Sequence, residues 1–285
     1  MVGEAKIRTT GATLAAIGLN DAEIQSAHAA ELARIRAEGL QPEEAVESCE
    51  RNLIQELHTP FTFPSEIDNL RAYTPPPDPY GPEKRAAVLV GLVVDPETRD
   101  LAVWLTLRAS TLRKHAGEVS LPGGRVDGTD LDLIATALRE AQEEIGLDPD
   151  RVECVTCLPP FLSRFLLLVT PVVGIVPEDF VPSANPDEVA ACFKVPLRAF
   201  LSKENYTFQD VTLPKVGVIR RHAFDWQDAQ GSSYMIFGLT ADILINAATT
   251  AYQQQPEFAA AAPDQPTYLS MIQRLDATGH FAPKM

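Results

Sequence analysis

Cysteine is scarce: four in 285 residues, too few for a disulfide scaffold, which makes a reducing compartment the expected setting. Two of the four, Cys154 and Cys157, form a C-x-x-C, but no second pair follows and neither neighbour is histidine. They read first as small side chains on a strand, and only second as a redox or zinc site. Basic residues are also short. Twenty-four Lys+Arg against 39 Asp+Glu leave a net charge of −15, whereas neutralising nucleic-acid phosphates needs a basic surface. Long apolar runs are missing too: the longest, Phe165 to Val176, contains Pro171 and Gly174 and is too short to span a bilayer. Lys6 and Arg8 are followed by no apolar core of a signal peptide. An intracellular, soluble protein without nucleic-acid or membrane partners is expected. At 45% hydrophobic and 22% charged residues, the chain is composed to fold.

Proline, by contrast, is concentrated. Seven prolines lie between Pro60 and Pro82, including Pro75, Pro76 and Pro77, which predicts an extended linker or wrapping arm and a domain boundary. Before it, residues 21–57 read as two helices, one starting at Asp21 and stopping at Gly39, the other starting at Pro42. Residues 1–80 are thus expected to be an N-terminal helical extension with a linker, and 81–254 the main domain. Residues 255–285 read as a low-complexity link and tail. Within the main domain, Ala86–Val94 is a nearly continuous aliphatic run, as in a strand buried on both faces, and Leu101–Arg108 returns after a polar turn. Residues 131–145 read as a helix, 152–157 and 165–176 as strands, and 196–202 as a short helix. Gly238–Gln253 is a further helix, the Gln/Ala/Pro stretch Gln253–Pro266 a mobile link, and 267–276 a last short helix. Strands interleaved with helices predict an α/β fold with a mixed sheet.

The chemistry concentrates in Gly123–Leu147. Thr129 or Asp130 can cap a helix that ends at Gly146, and Ile134, Leu138, Ala141 and Ile145 make its buried stripe. Glu140, Glu143 and Glu144 share another face at i, i+3 and i+4. Alone, they read as a solvated acidic face. Three carboxylates on one turn repel, however, and a hard cation such as Mg²⁺ or Mn²⁺ relieves the repulsion. Arg139, four residues before Glu143, can hold that carboxylate. The preceding Pro122-Gly123-Gly124 lets backbone approach closely, so that carbonyls can join a metal or amides can face phosphate. Turn, helix and carboxylates together describe a metal-bound diphosphate site.

The same stretch resembles the signature of the Nudix hydrolases, G-x5-E-x7-R-E-U-x-E-E-x-G-U, where U is bulky and aliphatic. Arg139-Glu140-Ala141-Gln142-Glu143-Glu144-Ile145-Gly146-Leu147 fits its second half. The first half departs: counted from Gly124, the first acid is Asp130, with eight residues rather than seven before Arg139. That insertion is similar to the coenzyme A diphosphatase branch, as are Leu105–Arg108 and Leu112–Gly124, with Ala109 and Leu121 as departures. Val169–Gly174, Asn185–Val189 and Phe237–Ala241 resemble it as well. The resemblance covers about 85–250. It implies a Nudix-type α/β/α sandwich and cleavage of coenzyme A or acyl-coenzyme A to 3′,5′-ADP and (acyl-)4′-phosphopantetheine.

The residues agree on an anionic substrate. In this acidic chain Arg108, Arg113, Lys114 and His115 cluster within eight positions, and Arg125 follows the glycines. Arg108, Arg113, Lys114, Gly124 and Arg125 are therefore the candidate substrate-binding residues. Glu140, Glu143, Glu144 and Gly123 are the candidate metal set, with Arg139, Glu143 and Glu144 catalytic. Glu143 is a further ligand or the base; Glu188 and Glu118 are alternative bases. Two rival functions stay open: a Nudix hydrolase of oxidised nucleoside triphosphates or NADH, and a non-catalytic Nudix-fold binding module. Nothing fixes the oligomeric state, and a homodimer is one open alternative. Pro283-Lys284-Met285 partly resembles a peroxisomal tripeptide, against cytoplasm or mitochondrion as the other locations.

Overall fold

The aliphatic run RAAVLVGLVV forms β1 (Arg85–Val94), buried along nearly its whole length. It lies inside a mixed sheet in the computed structural model, which describes residues 65–75, 77, 84–112, 115–213 and 217–277. On one side β1 pairs in parallel with β7 (Leu168–Ile175), from Arg85↔Leu168 to Leu92↔Ile175. Two partners share its other side. Leu92–Val94 pair with the start of β2 (Leu101–Arg108), whereas Ala86–Val88 pair with β4 (Gly123–Arg125). β2 then diverges, with its outer half against β3 (Val119–Ser120) and its far edge against β8 (Val189–Pro196). The sheet is therefore forked, and residues 119–125 fill the fork. β5 (Glu153–Cys157) closes the edge beyond β7, and β6 (Phe161–Leu162) pairs with the start of β7.

Successive side chains of β1 enter two separate cores, as the period of a strand requires. Ala87 and Leu89 pack with Ala137, Ala141 and Ile145 of α2 (Leu133–Ile145). Ala86, Val90, Leu92 and Val94 pack with α1 (Ser65–Ala72) and α3 (Leu239–Tyr252) on the opposite face. This is the expected α/β/α sandwich. The short 196–202 helix is a 3₁₀ turn at Leu197–Leu201, and the last helix is α4 (Tyr268–Asp276). No helix among the described residues is long and apolar enough to cross a membrane. Cys154 and Cys157 both lie on β5 without a disulfide, and burial pushes the Cys154 thiol up, away from the reactive thiolate.

Three expectations change. Ser65–Ala72, inside the proline-rich stretch, is a helix and not extended arm: Ile67 and Leu70 are fully buried, and the Asn69 amide donates to the Ala251 carbonyl at 2.8 Å. Its eight residues contain no proline, so nothing opposes the turn. The Gln/Ala/Pro stretch is fastened rather than mobile. Phe258 stacks on Tyr206 at 3.8 Å, His222 Nε2 donates to the Ala260 carbonyl, and Gln265 Oε1 accepts from Arg220 N at 2.6 Å. What it covers is a second sheet that the sequence reading did not anticipate, β9 (Tyr206–Leu213), β10 (Gly217–Gln227) and β11 (Ser233–Phe237), in the order β11-β10-β9. The expected helices of residues 21–57 and the C-terminal tripeptide lie outside the described residues.

Candidate active site

The N-cap of α2 is Asp132, whose carboxylate accepts from Ala135 N at 2.8 Å, in place of the expected Thr129 or Asp130. Those two are occupied. Thr129 donates its amide and hydroxyl to Asp127, and Asp130 is held from the helix itself. Gly146 closes the other end in the left-handed region (φ 70°), with its N–H on the Gln142 carbonyl. The expected stripe is rotated. Ala137, Ala141 and Ile145 sit deepest, Ile134 and Leu138 flank them, and Glu144, expected off the stripe, is only 2% exposed. Small alanines let the helix approach β1 closely, and that approach carries Glu144 inward.

Arg139 organises the acidic face. Its Nε and Nη2 grip Asp130 at 2.9 and 3.0 Å, and Nη1 reaches Glu140 at 2.9 Å and Glu143 at 3.4 Å. The bidentate guanidinium holds the Asp130 carboxyl well below the usual carboxylate range. Asp130 also accepts from Asp127 N and from the Thr136 hydroxyl, so this acid, in the departing half of the motif, anchors the arginine. Glycine makes room for Glu140: a Cβ on Gly124 would stand 2.4 Å from its carboxylate atoms, and one on Gly123 would stand 2.4 Å from the Ala87 carbonyl oxygen. Burial pushes the Glu140 carboxyl up despite Arg139.

Glu144 is the most desolvated of the three. Burial raises its carboxyl to about 8, against the pull of Arg108 Nη1 at 3.5 Å, while Glu140 and Glu188 add repulsion. Its Oε2 has no hydrogen-bond partner, nor does the buried Nε of Arg108. Trp104 and Cys192 belong to the same core, and burial pushes the Cys192 thiol up to about 11, which keeps it uncharged.

The remaining predicted residues divide. Glu188 bears on both Glu140 and Glu144, and its carbonyl accepts from Ala109 N. Glu118 is engaged elsewhere, by His115 Nδ1 and by Arg164 at 3.5 Å. Arg125 is exposed, and its carbonyl accepts from Arg139 Nη2. Arg113 and Lys114 lie outside the described residues. Among the described residues no three Asp, Glu, His or Cys side chains form a group that could hold a metal, so the expected set of Glu140, Glu143 and Glu144 is not drawn together. The reason is visible: Arg139 holds Glu140 and Glu143, and Arg108 faces Glu144. The donors nevertheless suit a hard divalent cation, since a buried carboxylate oxygen without a partner stands beside a second carboxylate in a glycine notch.

A match to the NUDIX domain extends over residues 83–216, which takes in the fork and α2. A Nudix hydrolase named NudL, uncharacterized, from Cronobacter sakazakii is 45% identical over 162 residues, 57% of this chain and 80% of that protein. The chain belongs to the Nudix hydrolase family. Two Arabidopsis thaliana relatives agree: Nudix hydrolase 15, mitochondrial, is 47% identical over 189 residues and Nudix hydrolase 22, chloroplastic, 47% over 184. They match 66% and 64% of this chain, which spans 65% and 60% of their lengths. In this Nudix domain the motif helix and the glycine turn meet at the fork, because β4 carries Gly124 on β1 and α2 lies over the same strand. One participant went unnoticed in the sequence: Arg164, on the β6–β7 hairpin, which contacts His115 and Glu118. A lone arginine after a proline-rich turn gives no periodic or motif signal.

Proposed function

We propose that this chain is a divalent-metal-dependent diphosphatase that cleaves coenzyme A or acyl-coenzyme A to 3′,5′-ADP and (acyl-)4′-phosphopantetheine. The observation that carries the reading is Glu144, a buried carboxylate with an unpartnered oxygen beside Glu140 and behind Arg108. Mg²⁺ or Mn²⁺ held by Glu140 and Glu144, with Glu143 and the Gly123 carbonyl completing the set, would acidify a water and neutralise charge on the phosphoryl oxygens. The protein's own groups arrange the rest. Asp130 fixes Arg139, which fixes Glu140 and Glu143, so that the helix carboxylates are placed before substrate arrives. Arg108 is positioned to exchange Glu144 for a phosphate oxygen, and Arg113, Lys114 and Arg125 would hold the outer phosphates. Glu143 or Glu188 takes the proton of the attacking water. Of the alternatives, Glu188 is the better base, because Glu118 is occupied by His115 and Arg164.

The coenzyme A assignment is supported by the pattern through Leu105–Gly124 and its downstream companions. Product analysis with coenzyme A, acyl-coenzyme A, NADH and an oxidised dGTP under Mg²⁺ and Mn²⁺ tests it. 3′,5′-ADP as the dominant product is expected; cleavage confined to NADH or the oxidised nucleotide would replace the substrate, and no cleavage at all would favour the binding module. For location, the C-terminal Pro283-Lys284-Met285 suggests the peroxisome, while the mitochondrial and chloroplastic relatives suggest another organelle. A fluorescent fusion at each end of the chain separates these.

A further inference from the structure

The hairpin between β6 and β7 stands at the end of the sheet where β1 begins and β2 finishes, since β7 starts beside Arg85. Its turn is closed by Ser163 N on the Leu167 carbonyl at 2.9 Å and Leu166 N on the Ser163 carbonyl at 2.8 Å. Leu166 adopts φ 58°, a left-handed conformation that branched side chains avoid. This turn displays Arg164 and Phe165, 58% and 48% exposed. The loop opposite grips both. Arg164 Nη2 lies 2.9 and 3.2 Å from the two ring nitrogens of His115 and 3.5 Å from Glu118 Oε1. The His115 ring meets Phe165 edge-on at 5.4 Å, and the Arg164 guanidinium sits 5.0 Å from the Phe165 centroid.

The register ties this cluster to the glutamates. Thr106↔Ser120 and Leu107↔Val119 set Arg108 opposite Glu118, and Arg108 N donates to the Glu118 carbonyl at 3.0 Å. Directly opposed residues point to one face. Because Arg108 reaches Glu144, Glu118 and the arginine it holds lie on the side of α2, about one strand spacing (~5 Å) beyond Arg108. Among the described residues the half-exposed Arg164 guanidinium pairs with the Glu118 carboxylate alone, which leaves it donors for an incoming anion. In a chain of net charge −15, that is where a second anionic group would be drawn.

We infer that Arg164 is a substrate-binding residue that takes a phosphomonoester remote from the diphosphate being cleaved, with Phe165 offering an aromatic surface to the attached base. Glu118 and His115 are positioning residues that hold Arg164 there. The inference rests on the diphosphatase reading for its setting, but binding tests it without turnover. The full chain is titrated calorimetrically, without metal, with adenosine 3′,5′-bisphosphate and with adenosine 5′-monophosphate. Arg164→Ala should weaken the bisphosphate about tenfold and the monophosphate less than twofold, Arg164→Lys falling between. In turnover, the variant should raise KM for coenzyme A by the same factor at constant kcat, and leave dephospho-coenzyme A unaffected. Glu118→Gln should repeat the pattern at about threefold. Equal binding by wild type and Arg164→Ala, equal losses for both nucleotides, or no saturable binding by wild type overturns the site. A collapse of kcat in Glu118→Gln returns that residue to the catalytic centre and overturns its positioning role. If coenzyme A is not cleaved but the selective loss of bisphosphate binding appears, the site stands and the diphosphatase reading falls. If coenzyme A is cleaved and KM does not move, the reverse holds.

Discussion

The two long helices of the domain lie on opposite faces of one sheet, and each buries an acid. On α3, Asp242 accepts from the Tyr268 hydroxyl at 2.5 Å, among Ala241, Ile243, Leu244 and Ile245. On α2, Glu144 stands with Glu140 and Glu188 near it and Arg108 in front. Burial raises both carboxyls, to about 7 for Asp242 and about 8 for Glu144. Their neighbours differ. A neutral hydroxyl against one acid ties α4 to α3, although Asp242 Oδ1, like Glu144 Oε2, has no hydrogen-bond partner. Several acids collected in a desolvated corner oppose one another, and a fold selected for stability alone would disperse them. The first arrangement ties two helices together; the second is the proposed cation site.

Changes on the two helices should therefore separate activity from stability. Glu144→Gln should lower turnover at saturating Mg²⁺ at least about a thousandfold, because the metal contribution is worth several kcal/mol of barrier. Its melting temperature in metal-free buffer should not fall, since burial already favours the neutral carboxyl and the amide is neutral and of nearly the same volume. Retention of a tenth of wild-type turnover would break the assignment. Gly124→Ala should come next, with a loss of about a hundredfold, because the new methyl occupies the place of the Glu140 carboxylate. Its circular dichroism should stay native, since the carboxylate end can swing away; intact kcat would mean that Glu140 needs no notch.

On α3 the expected effects concern stability only. Asp242 has its folded pKa raised above the unfolded value, so its contribution is full below about pH 4 and is lost as pH rises through about 7. Wild type should lose melting temperature between pH 5 and 8 relative to Asp242→Asn; parallel curves would show that the acid does not feel its burial. Tyr268→Phe should cost about 1 kcal/mol of unfolding free energy, the ordinary value of one hydrogen bond, and leave kcat and KM within twofold. A larger loss of activity would place α4 in the catalytic machinery.

Much of this was legible in the sequence where one-dimensional pattern and three-dimensional environment coincide. The aliphatic run of β1 could only be a strand covered on both faces, and Arg139-Glu140 with Glu143-Glu144 could be placed on one helical turn by counting. The depth of Glu144 was not legible. Periodicity weights large side chains such as Ile134 and Leu138, whereas the helix approaches β1 through Ala137 and Ala141. Asp130 looked like a cap because its partner Arg139 is nine residues away and meets it only after the helix forms. β10 was missed because Arg220, Arg221 and His222 interrupt its apolar alternation, though His222, Phe224 and Trp226 keep the period. The helix at Ser65–Ala72 was hidden by counting prolines across a stretch instead of reading the gap between them.

The proposed cation site can be tested without any assumption about substrate. Mn²⁺ binding to the full chain, followed by electron paramagnetic resonance, should show saturable binding by wild type. That binding should weaken at least about tenfold in Glu144→Gln while remaining unchanged in Asp242→Asn. Equal Mn²⁺ affinity and stoichiometry in wild type and Glu144→Gln would contradict the claim that the buried glutamates of α2 hold the metal.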